Sequence, residues 1–135
     1  MAVTNITVLE GQNAPPPPGW EKDPIDLNQG AGGAYLYFAF EKNGAESPVT
    51  DIYFLLGKDS PTPPDYEKVD VDLNKGAGGE YIYLTFTRQN GTPIQDLKVV
   101  SSSDPNPNPP AGYKRIDVDL NRGAGGKYIY LCYAT

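Results

Sequence analysis

In Val69-Asp70-Val71-Asp72-Leu73-Asn74, apolar and polar residues alternate with a period of two. That alternation puts the aliphatic side chains on one face of a strand and Asp70, Asp72 and Asn74 on the other. Tyr81-Ile82-Tyr83-Leu84-Thr85-Phe86 repeats the pattern, with Ile82, Leu84 and Phe86 facing inward and Tyr81 and Tyr83 opposite. The Gly-Ala-Gly-Gly between them permits positive φ and predicts a tight hairpin. Asn43-Gly44 and Asn90-Gly91 mark further turns, leading into the apolar runs 49–57 and 94–100. Roughly four strand segments per unit predict about twelve short strands and an all-β fold.

The unit occurs three times. Asp26-Leu27-Asn28-Gln29-Gly30-Ala31-Gly32-Gly33 returns at Asp72–Gly79 and at Asp119–Gly126, spaced by 46 and 47 residues. Each copy runs in phase into an aromatic strand, Tyr35-Leu36-Tyr37, Tyr81-Ile82-Tyr83 and Tyr128-Ile129-Tyr130, and each follows an aromatic residue, Trp20, Tyr66 or Tyr113, behind a Pro-rich stretch. Such a period is the mark of a repeat architecture. The N-terminal run 3–11 matches 49–57 in register. Repeats at about 15–60, 61–106 and 107–135, the last completed by 1–14, therefore predict a closed ring of three. In that ring the N- and C-terminal strands pair, and Pro15–Pro18, Pro61–Pro64 and Pro105–Pro110 serve as stiff corner connectors between sheets. The 135 residues suit one domain spanning 1–135.

Composition removes several chemistries. The absence of histidine and the single cysteine, Cys132, leave no histidine-based triad, no Cys/His nucleophile pair, no Cys/His zinc site and no internal disulfide. Cys132 falls at the repeat position of Ala39 and Thr85, where a small packing residue is expected. A formal charge of −6 disfavours binding to nucleic-acid phosphates. No basic leader, long apolar run or membrane-spanning stretch is visible, which predicts a soluble chain, cytoplasmic as made, with any release by a route that needs no signal peptide. The sequons at Asn5 and Asn90 carry little meaning in that setting.

The phrase P-x-x-x-Y-x-x-[IV]-D-x-D-L-N-x-G-A-G-G-x-Y-I-Y-L, at 63–84 and again at 109–131 with one residue of slack, resembles the multivesicular-body-associated β-prism family. It looks especially like the β-prism domains that terminate some bacterial membrane-attack-complex/perforin-like proteins, although no pore-forming domain accompanies it here. The resemblance covers essentially the whole chain. It implies a pseudo-threefold β-prism of three short antiparallel sheets and a recognition module for a membrane surface or a glycan. Fold alone leaves the ligand open.

Four sets of residues are candidates for binding. The Gly-Ala-Gly-Gly turns could offer backbone N–H groups to an anion, with Lys75 beside Gly76 and Gly78, and Arg122 beside Gly123 and Gly125. The third copy gathers Lys114, Arg115, Arg122 and Lys127 against Asp117 and Asp119, a basic face suited to anionic lipid headgroups. Tyr35, Tyr37, Tyr81, Tyr83, Tyr128 and Tyr130 form three equivalent pairs suited to sugar stacking or to a membrane interface, where three copies would act multivalently. Packing within the sheets is the competing reading for the tyrosines, and hairpin geometry for the glycines.

The oxygen-rich runs Asp70, Asp72, Asn74 and Asp117, Asp119, Asn121 are weak metal candidates, with calcium the cation they would suit. Their register departs from an EF-hand, because Lys75 or Arg122 intervenes before the glycine, and the first copy has Pro24 where Asp70 and Asp117 stand. Solvent-facing strand residues and turn caps are the alternative for these acids. Asp70 and Asp72, neighbours on one strand face, do not flank a substrate as catalytic carboxylates must, so a non-enzymatic module is expected. The two function classes carried forward are recognition of anionic lipid headgroups or glycans, and a structural or protein-interaction subunit of a toxin or other assembly.

Overall fold

The computed structural model describes residues 1–135 and contains no helix. Nine strands form three antiparallel sheets of three. The first sheet holds β1 (Val3–Glu10), β2 (Glu21–Lys22) and β3 (Leu36–Lys42) in the order β1-β3-β2. The second holds β4 (Asp51–Leu56), β5 (Tyr66–Lys68) and β6 (Ile82–Thr87), and the third β7 (Asp96–Ser102), β8 (Lys114–Arg115) and β9 (Tyr128–Ala134), in the equivalent order. The aromatic strand of each repeat is always the central one.

Alternation along these strands sorts the core into layers, as the period of two requires. Phe38, Leu84 and Leu131 occupy one repeat position, Leu36, Ile82 and Ile129 the next, and Leu27, Leu73 and Leu120 a third, and all belong to one buried apolar cluster drawn from the three sheets. At one end the chain closes a ring of backbone hydrogen bonds. Val3 N–H donates to Ile94 C=O (2.8 Å), Ile94 N–H to Val49 C=O (2.9 Å) and Val49 N–H to Val3 C=O (2.8 Å). Such a cycle satisfies three buried donors at the strand ends and beyond them, and it identifies the pseudo-threefold axis.

The three-sheet β-prism expected from the repeat is what forms, with three corrections. Each sheet comes from one contiguous segment, and β1 and β9 lie in different sheets, so the predicted pairing of the terminal strands does not occur. Register places Val8 opposite Phe38 and Val99 opposite Leu131, so the run matched at 3–11 opens its own repeat instead of completing the last. A period has no inherent starting point, and only hydrogen bonding chooses one.

The Pro-rich stretches, secondly, join the two outer strands of one sheet, while 43–50 and 88–95 pass between sheets. Thirdly, nine strands replace about twelve because the segments around Asp26, Asp72 and Asp119 form turns. Asp72 Oδ1 accepts from the backbone N–H of Asn74 (3.0 Å) and of Ile82 (3.1 Å), and Asp26 and Asp119 do the same in their copies. A side chain that bonds the backbone two residues on competes with the strand ladder and wins here.

Candidate functional site

The end of the prism opposite the Val3 ring is built from the three Asp-Leu-Asn-x-Gly-Ala-Gly-Gly turns, which lean on one another in a cycle. Ala34 N–H donates to Lys75 C=O (2.9 Å), Glu80 N–H to Arg122 C=O (3.1 Å) and Lys127 N–H to Gln29 C=O (3.0 Å). The last glycine of each turn makes this approach feasible. A Cβ on Gly79 would stand 2.7 Å from Arg122 C=O and 2.9 Å from Ala124, with equivalent overlaps at Gly33 and Gly126. Gly76, Gly78, Gly123 and Gly125 serve a different need, since each has φ between +74° and +80°.

Three open grooves surround this apex. One, of about 520 Å³, is lined by Glu10, Asp70, Val71, Asp72, Lys75, Gly76, Tyr81 and Tyr83. A second, of about 530 Å³, is lined by Asp26, Asn28, Gln29, Gly30, Gly32, Gly33 and Tyr35. The third, of about 300 Å³, lies between Gly30 and the segment Gly125–Tyr128, with Ser103 at its side. Each holds the first tyrosine of a repeat's pair, Tyr81, Tyr35 or Tyr128, of which Tyr35 and Tyr81 are 46% and 43% exposed.

The second tyrosine of each pair is packed instead. Tyr37, Tyr83 and Tyr130 are buried, each beneath a cation from the short edge strand or its flank. Lys22 Nζ lies 4.3 Å from the Tyr37 ring centre, Lys68 Nζ 4.1 Å from Tyr83 and the Arg115 guanidinium 4.4 Å from Tyr130. A cation over a desolvated ring is attracted by its quadrupole, and its alkyl stem covers the ring's apolar face. Sequence reasoning placed Arg115 with the ligand-binding residues and missed Lys22 and Lys68. Their common position two residues after Trp20, Tyr66 and Tyr113 was the available signal.

The basic residues of the third copy disperse. Arg115 Nε bonds Asp117 (2.8 Å), Arg122 Nε pairs with Glu80 (2.6 Å), Lys127 Nζ reaches Ser103 Oγ at 3.3 Å, and Lys114 is exposed on β8. Lys75 is likewise held by Glu10 (2.8 Å). Glu10, another residue the sequence reading passed over, has no acidic counterpart in the other repeats, where Leu56 and Ser101 pair with the residues equivalent to Leu36. The metal candidates do not converge either. Asp72 and Asp119 are turn caps, Asp70 is 3.6 Å from Lys68 Nζ, Asp117 faces Arg115, and no three acidic or sulfur side chains gather as a ligand set.

A further polar device holds the repeats away from the apex. The Tyr66 hydroxyl donates to Asp51 (2.5 Å) and the Tyr113 hydroxyl to Asp96, while Asp96 also receives Lys42 of the first sheet (3.0 Å). The hydrogen bond to Asp51 holds the Tyr66 phenol up at about 12, and that to Asp96 does the same for Tyr113. A raised folded pKa means that this stabilisation is complete below the ordinary tyrosine value near 10 and is lost as pH rises through about 12. Of the ten tyrosines, these two are expected to ionise last in a phenolate absorbance titration, and Tyr66→Phe with Tyr113→Phe should abolish that late step. A late step that survives the double substitution would assign it elsewhere. Burial pushes the Cys132 thiol up, as fits a side chain sealed at 0% exposure and not a reactive group.

Set against models of known protein families and against curated proteins, the sequence matches none of them.

Proposed function

We propose that this prism is a carbohydrate-recognition module of the lectin type, binding through the apical grooves. The observation that carries this reading is the groove in which the exposed ring of Tyr81 lies among Asp70, Asp72, Glu10 and Lys75. A sugar presents an apolar C–H face and a rim of hydroxyls. Tyrosine offers a flat surface to the first, and carboxylates and an ammonium supply acceptors and a donor for the second. The groove is shallow and open, and it carries three carboxylates against one ammonium. That charge disfavours anionic headgroups, which would meet net repulsion there. Tyr35 and Tyr128 mark related grooves in the other repeats, so several weak sites facing one end would gain avidity on a clustered glycan.

Tyr81→Ala and Asp70→Asn are expected to lower avidity for an immobilised glycan by about tenfold, equivalent to roughly 1.4 kcal/mol, with the thermal transition unchanged. Competition by free saccharide and co-sedimentation with neutral, anionic and glycolipid vesicles supply the discriminating arms. Binding to anionic vesicles that salt abolishes would overturn the carbohydrate reading in favour of headgroups. A second reading, protein interaction, rests on Tyr53 and Leu56, 53% and 38% exposed, in an apolar groove with Pro61, Pro63 and Val118. A defined oligomer without any saccharide binding would favour it.

A further inference from the structure

The chain holds two Asn-Gly pairs, Asn43-Gly44 and Asn90-Gly91, each in a segment that passes from one sheet to the next. They share a local sequence and differ in how the fold holds them. In the first, Asn43 N–H donates to Ala2 C=O (3.0 Å) and Gly44 N–H to Thr4 Oγ1 (2.9 Å), on a residue 3% exposed. Asn43 takes φ +56°, and Gly44 packs so closely on Glu41 and Thr4 that a Cβ there would overlap both. In the second segment the anchors are Gln89, whose C=O accepts from Thr50 Oγ1 (2.7 Å), and Ile94, whose N–H donates to Val49 C=O (2.9 Å). Between them Asn90, Gly91 and Thr92 are exposed and make no hydrogen bond within the protein, through backbone or side chain. A stretch with exposed backbone and few contacts belongs to the low-stability end of a fold.

An asparagine side chain is open to attack by the next backbone nitrogen, and a following glycine, having no Cβ, hinders that approach least. Hydroxide takes the proton from the glycine N–H, the nitrogen bonds to the asparagine Cγ, and Nδ2 takes up a proton and leaves as ammonia. The cyclic imide that results adds one water and opens at either carbonyl, giving aspartate or, with one more carbon in the main chain, isoaspartate. Amide and water become acid and ammonia, so the change consumes nothing beyond solvent. Its condition is conformational, because the nitrogen must leave any acceptor it serves and turn toward the side chain before it. At Gly44 that nitrogen is committed to Thr4 Oγ1 and its neighbour is tied to Ala2. At Gly91 no bond resists the turn.

We infer that Asn90 is a site of spontaneous deamidation in the folded protein, and that Asn43, with the same Asn-Gly sequence, is protected by the hydrogen bond from Gly44 to Thr4. The site lies away from the apical grooves and does not depend on the carbohydrate reading. Reaction there adds one negative charge to a chain of formal charge −6, two residues from Arg88, whose guanidinium already pairs with Glu67 (2.8 Å). The modified form should keep the fold, since the altered stretch has no bonds to lose. The test holds the unaltered folded chain in mildly alkaline buffer, with a second sample unfolded in urea, and follows both asparagines by peptide mass mapping and by enzymatic methylation of isoaspartate. In urea the two sites should react alike. In the folded chain Asn90 should react at close to its urea rate, and Asn43 slower by about tenfold or more, the cost of releasing its hydrogen bonds. Thr4→Val keeps the side-chain shape, removes the acceptor and should bring Asn43 toward the rate of Asn90. Equal rates in the folded chain, reaction at Asn43 first, or a folded Asn90 that stays intact while the urea sample reacts would each overturn the assignment. A folded Thr4→Val protein with Asn43 still protected would overturn the part given to Thr4.

Discussion

Alanine at position 79 should destabilise the fold by about 3 kcal/mol, whereas alanine at position 78 should cost only about 1 kcal/mol. The two glycines are adjacent and answer to different constraints. At Gly78 the backbone has φ +79° and a Cβ would meet nothing within 4 Å, so the expected cost is the strain of a left-handed alanine alone. At Gly79 the added carbon would lie 2.7 Å from Arg122 C=O and 2.9 Å from the backbone and side chain of Ala124. Those atoms belong to the next turn of the apex and cannot retreat without pulling on the bond from Glu80 N–H to Arg122 C=O, or on the amide of Asn74. Gly33→Ala and Gly126→Ala should behave like Gly79→Ala, because a ring broken at any one contact loses the closure that relates all three. Urea unfolding of the four variants measures this directly. Equal midpoints for positions 78 and 79 would mean that the turns do not pack as closely as described.

Phe38→Ala is expected to cost about 3–5 kcal/mol, the range for emptying a buried aromatic position, and to lower Tm by roughly 10 °C or more. Phe38 is 1% exposed and is the largest fully buried side chain. It holds the position that Leu84 and Leu131 hold in the other repeats, so its layer is filled by one ring and two aliphatic side chains. Phe38→Leu makes the layer uniform and removes much less volume. It should cost about 1–2 kcal/mol, and the gap between the two variants reports how far the three sheets can close on a smaller centre. A near-equal effect would indicate that the layer relaxes inward freely, in conflict with close packing around the axis.

What could be read in the chain divides by the range of the interaction. Alternation in Tyr81–Phe86 reveals which side chains face inward because a strand's geometry is local, and Ile82, Leu84 and Phe86 are indeed buried. Asp72 was assigned to a strand because alternation outweighed its turn preference. Its two bonds, to Asn74 and Ile82 backbone N–H, emerge only once the chain has folded back by ten residues. Glycines were legible as turn formers, but the demand at Gly79 for empty space comes from a carbonyl more than 40 residues away in sequence. The tyrosine pairs looked equivalent within each repeat, yet Tyr83 lies under Lys68 and Tyr81 remains 43% exposed, because one flanks the neighbouring strands and the other lies beside the apical turn.

By itself, then, the sequence determined an all-β chain of three repeats with one apolar face per strand, since periodicity, turn residues and repetition are properties of neighbouring residues. Only the tertiary structure decided where each repeat begins, that nine strands form and not twelve, and that the termini stay in separate sheets. It alone carries each asparagine amide across to a carbonyl of the next turn and sets Glu10 against Lys75. Those features depend on which distant backbone groups find each other when three incomplete sheets must bury their faces together, and a residue's own neighbours in the chain carry no record of that choice.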